Sequence, residues 1–107
     1  MIIVTTDQIE GMRITKNLGL VRGSTIRARH VGKDIMAAFR NLVGGEISEY
    51  TKLLAESREQ SIKRMTDEAE GLGANAIVAT RFVTSMVMSG AAELLVYGTG
   101  VVVEEAN

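Results

Sequence analysis

Cysteine, proline and tryptophan are absent from these 107 residues, and histidine occurs once, as His30. Without cysteine there is no disulfide scaffold, no thiol nucleophile and no thiolate metal site. Without proline, turns fall to the 11 glycines and to asparagine. Two Phe and two Tyr leave the core to Val, Ile, Leu, Met and Ala. Neither charge dominates: 12 Lys and Arg stand against 13 Asp and Glu, a net charge of −1. That is far from the balance of a general nucleic-acid binder, and no aromatics interleave the basic residues to stack on bases. A nucleic-acid partner is therefore not expected. No run approaches the ~20 apolar residues of a membrane span. The start, MIIVTTDQIEG, has neither the basic end nor the apolar stretch of a secretory signal. A cytoplasmic protein with no membrane partner is the expectation. Apolar residues make up 46%, enough for a core, and the length suits one domain over residues 1–107.

The chain reads as strand and helix in mixture, an α+β pattern. Residues 2–6 (IIVTT) predict a short strand. Met12 to His30 predicts an interrupted one, with Gly19 and Gly23 marking bulges or bends. Asp34 to Val43 has helical spacing and stops at Gly44-Gly45. Ile47 to Leu72 predicts a long helix. Its apolar stripe runs through Ile47, Tyr50, Leu54, Ile62, Met65, Ala69 and Leu72, with Glu59–Lys63 as an i,i+4 pair opposite. Gly71 and Gly73 close it.

Ala76 to Met88 and Glu93 to Val103 predict an antiparallel hairpin joined by residues 89–92. On the first strand Val78, Phe82, Met86 and Met88 share one face, and Ile77, Ala79, Val83 and Val87 the other. Arg81 is its only charge. The second strand alternates Leu95, Tyr97, Val101 and Val103 with Leu94, Val96 and Val102. Leu95 and Val101 are expected in the core, Val96 and Val102 against a neighbour. Both faces are apolar, more surface than one helix covers, so a homo-oligomer is expected.

Candidate chemistry is sparse. His30 lacks a second imidazole in its own chain, so a His30 metal site needs other subunits. No Walker or dinucleotide loop occurs. From Arg13 to Arg40 seven basic residues face one acid, Asp34. Arg27, Arg29 and Lys33 flank His30 and predict a patch for a small anionic ligand or for acidic residues of another subunit. Arg58 falls in the apolar stripe beside Leu54 and Ser61. Arginine is rarely buried unpaired, so it predicts an ion pair with Asp34, Glu68 or Glu93, or a ligand contact. Met86 and Met88 are assigned to core filling rather than to soft-metal binding.

Residues 3–6 (IVTT), Ile9-Glu10-Gly11, Leu18–Gly23, Val31–Gly45, the helix with Tyr50, Arg58 and Ala69, Gly71–Val78 and Tyr97–Val103 resemble the YbjQ-like family in order along the whole chain. Asp34, Arg40, Gly44, Gly45, Gly73, Ala74, Asn75 and Gly98 also match. The resemblance implies a β-α-β-β fold, a curved antiparallel-type sheet packed on one long helix, similar to a dodecin subunit. It implies assembly into a ring described as a pentamer, and a heavy-metal-binding label, with no catalytic residues to carry over. The cofactor is unknown, with a metal as the candidate.

Three functions stay open on these grounds. One is an oligomeric module holding a small anion or metal between subunits. Another is a purely structural or protein-interaction ring. The third is a hydrolase or isomerase with carboxylates at a subunit boundary.

Overall fold

The computed structural model describes residues 1–27, 48–88 and 91–106. The expected helix at 34–43, its Gly44-Gly45 end and residues 89–90 of the hairpin connection lie outside them. The described chain runs β1 (Ile2–Ile3), β2 (Met12–Arg27), α1 (Ser48–Gly71), β3 (Ala76–Met88) and β4 (Ala91–Glu105). The strands form one sheet in the order β1-β3-β4-β2. β4 is antiparallel to both neighbours, while β1 lies parallel to β3. The sheet is therefore mixed rather than purely antiparallel.

β2 is continuous where a break was expected. Its register shifts fall between Ile14 and Lys16 and between Asn17 and Gly19, and Gly19 has φ +92°. The expected bulge at Gly19 is there, but Gly23 serves another purpose. A Cβ on Gly23 would lie 2.5 Å from the Met65 nitrogen and nearer still to the Ser61 carbonyl oxygen. The helix rests on bare backbone, as only glycine permits.

That close approach selects small residues on α1. Among the described side chains of α1 the buried positions are Ser57, Ser61, Met65 and Ala69, each four residues apart. Leu54 and Leu72, placed in the stripe by apolar pattern, are exposed. The Ser61 Oγ donates to the Leu94 carbonyl at 3.1 Å and lies 2.8 Å from the Thr25 Oγ1, which also reaches the Ser57 carbonyl at 3.2 Å. These bonds let polar groups sit beneath a helix. On the outer face Lys63 pairs with Asp67 at 3.0 Å, not with Glu59.

Gly73 ends the helix at φ +89°. The Ala74 N–H donates to the Ala69 carbonyl and the Gly73 N–H to Glu70, each at 3.0 Å, which is a Schellman turn. Two residues on, Asn75 works as a substitute for backbone. Its Oδ1 accepts from the Val103 N–H at 2.8 Å, and its Nδ2 donates to the Val103 carbonyl at 3.0 Å.

Apolar packing lies on both sides of the sheet. Val21, Ile77 and Val96 meet Met65, Ala69 and Ala74 under α1. Ala76, Val78, Val101 and Val103 meet Val4, Ile9 and Met12 on the opposite side. Val96 is thus a core residue, where a subunit contact was expected. Val101 is buried as expected, but against the N-terminal segment rather than the helix.

A bulge in β3 explains part of this. Val78 pairs with Thr99 but Arg81 with Tyr97, and Ala79 between them has φ +54°. The extra residue moves Phe82 onto the helix side, away from the face of Val78. The sequence alternation assumed an unbroken strand and put them together.

Candidate functional site

The expected ligand residues scatter across the described and undescribed chain. Arg29, His30 and Lys33 lie outside the described residues. Arg27 is the last residue of β2, opposite Ala92. Arg58 sits on α1 next to Ser57, whose carbonyl accepts from Thr25, so the backbones at Arg27 and Arg58 reach the same end of the helix–sheet layer. The Arg58 side chain is exposed rather than buried. The packed face centres on Ser57, Ser61, Met65 and Ala69, and one residue further is a turn of ~100° away. It makes no ion pair with Glu68 or Glu93, and Asp34 lies outside the described residues.

Other cations are engaged. Arg13 pairs with Glu104 at 3.2 Å on the surface, where such pairs contribute little. The Arg64 Nη1 donates to the Ser24 carbonyl, and the Arg22 N–H donates to the Glu68 Oε1 at 3.3 Å. Two α1 side chains thereby cap part of the outer edge of β2. The Arg81 Nη1 donates to the Thr5 carbonyl at 2.7 Å and the Thr80 carbonyl at 2.9 Å, fastening the N-terminal segment to β3.

Sequence reading missed one alignment. Arg22 pairs across with Tyr97, and Tyr97 with Arg81. The three form a row on the side of the sheet away from α1, since their neighbours Val21 and Val96 pack under the helix. Arg81 was visible as the only charge on its strand. Its partners were not, because the bulge at Ala79 sets the register.

A family described as "Putative heavy-metal-binding" matches residues 1–104. The chain belongs to this YbjQ-like family. It is 61% identical over 101 residues to a UPF0145 protein of Methanosarcina acetivorans, covering 94% of this chain and 95% of that one. A UPF0145 protein of Clostridioides difficile is 59% identical over 107 residues, 100% of this chain and 96% of that one. In fold it is similar to a crystal structure of a DUF74-family protein of unknown function from Pediococcus pentosaceus. There the TM-score is 0.56 at 18% identity, covering 99% of this chain and 98% of that one.

The metal label of the YbjQ-like family finds little support in the donors. No three His, Asp or Glu side chains gather among the described residues. Met86, a soft donor assigned to core filling, is instead 79% exposed. The described residues do not fit a metal site within one YbjQ-like chain. No described helix is long and apolar enough to cross a membrane.

Proposed function

We propose that this YbjQ-like chain is the subunit of a cytoplasmic homo-oligomer, five-membered as the family resemblance implies, that holds a small ligand between subunits and catalyses no reaction. An anion suits the basic segment best. A metal would need His30 from several copies.

The observation that carries the assembly reading is the far half of β3. From Phe82 to Met88 its outer edge meets no other described strand. Phe82 is 47% exposed and Met86 79% exposed along it. An open edge beside bare apolar side chains is a surface that soluble proteins usually cover.

Native mass spectrometry of tag-free protein, with sedimentation velocity at micromolar concentration, tests this. One oligomer with a retained small molecule is the expected result. Phe82→Asp and Met86→Asp, which alter exposed positions, should yield folded smaller species. A stable wild-type monomer overturns the reading.

A further inference from the structure

The Arg22–Tyr97–Arg81 row has chemistry that the fold does not use. β4 lies between β2 and β3, so the two arginines root about 10 Å apart across Tyr97. Arg22 is exposed, and its guanidinium has no partner among the described residues. Arg81 spends its Nη1 on two carbonyls, which leaves its Nε and Nη2 hydrogens unengaged among the described residues. Glu93 is the only acid among the β2, β3 and β4 residues paired around this part of the face, two rows away beyond Leu95.

Apolar floor surrounds these charges. Tyr97 is 37% exposed, and Leu20 and Val83 on the flanking strands are exposed as well. The N-terminal segment forms a step at one end of the face, where Val4 packs on the Val78 and Val101 cluster and Thr5 receives Arg81. Guanidinium groups match oxyanions in a planar, two-bond geometry. A phenol ring among aliphatic side chains takes a flat apolar group.

We infer that the Arg22–Tyr97–Arg81 row is a binding site for a small aromatic oxyanion, its ring on Tyr97 and its carboxylate or phosphate between the arginines. The row is complete within one chain, so it does not depend on the oligomer proposed above.

Arginine Nε–H resonances report on the row directly. Phenyl phosphate and benzoate, titrated into the wild-type protein, should each move the Nε–H resonances of Arg22 and Arg81 saturably, and in Arg22→Gln the Arg81 resonance remains as the reporter. Phenol and inorganic phosphate, each carrying half of the recognised chemistry, should bind at least tenfold more weakly. Arg22→Gln should weaken binding about tenfold or more with an unchanged sedimentation coefficient, because the Arg22 side chain makes no bond among the described residues. Arg81→Gln should weaken it too. The inference is overturned by the absence of a saturable response, by phenol binding as well as phenyl phosphate, or by Arg22→Gln binding like wild type. It is also overturned if Arg22→Gln changes the oligomer size, which would make the row a contact between copies.

Discussion

Gly23 lies so close beneath Ser61 that a methyl group on the glycine would overlap the serine's carbonyl oxygen. The obstacle is helix backbone, which cannot swing aside as a side chain can. Gly23→Ala should therefore cost about 2–3 kcal/mol or lift α1 off β2. Urea unfolding followed by circular dichroism reads the first outcome. Increased amide exchange confined to α1 reads the second. A variant as stable as wild type would show that the helix stands further from the strand.

Ser61 has one hydroxyl proton, which goes to Leu94, so the Thr25 proton serves Ser61 and the Ser57 carbonyl. Ser61→Ala removes the acceptor for one and the donor to the other at a buried site. A loss of about 2 kcal/mol in urea unfolding is expected. In a double-mutant cycle with Thr25→Val the two losses should be non-additive.

Ala79 holds φ +54° without being glycine, a conformation that costs an L-residue roughly 1–2 kcal/mol. The Thr80 hydroxyl beside it is buried without a hydrogen-bond partner among the described residues. Ala79→Gly should stabilise the protein by about 0.5–1 kcal/mol after the extra chain entropy of glycine is subtracted. A lower urea midpoint would mean that the Ala79 methyl contributes more by packing than its backbone costs.

For metal, the chain offers one imidazole and no thiolate. Calorimetric titration of chelator-stripped protein with Zn²⁺ should give weak binding that Arg22→Gln leaves alone and His30→Ala abolishes. Tight binding that survives His30→Ala would mean that carboxylates gather where the described residues show none.

Much of the fold was legible because it rests on periodicity and punctuation. The long helix, its end at Gly73 and the β3–β4 hairpin follow from such signals. What stayed hidden depends on contacts between elements. The helix face was legible at Ile62, Met65 and Ala69 but misjudged at Leu54 and Leu72, because Gly23 admits Ser57 and Ser61 where apolar pattern favours leucine. The alternation along β4 was legible, with Val96 opposite in face to Val101 and Val103, but the faces of β3 beyond Val78 were misjudged because Ala79 gives no sequence sign of a positive φ. Asn75 stood out only as a family match, and its pairing with Val103 requires the fold. Of the candidate site, Arg58 was placed inside the apolar stripe, whereas it is exposed, turned away from the packed face of the helix. Arg22, Arg81 and Tyr97 become one site only once the bulge sets their register.

The capped edge of β2 constrains symmetry. Arg64 and Glu68 occupy backbone groups at Ser24 and Arg22, while the outer edge of β3 beyond Arg81 meets no other strand among the described residues. Two β3 edges pairing with each other make an isologous contact, which is satisfied at two subunits and stops there. A five-fold ring needs a heterologous contact, in which β3 of each copy meets a different surface of the next. The subunit count therefore identifies the joint: an even number admits β3 against β3, and five requires β3 to find a partner other than itself.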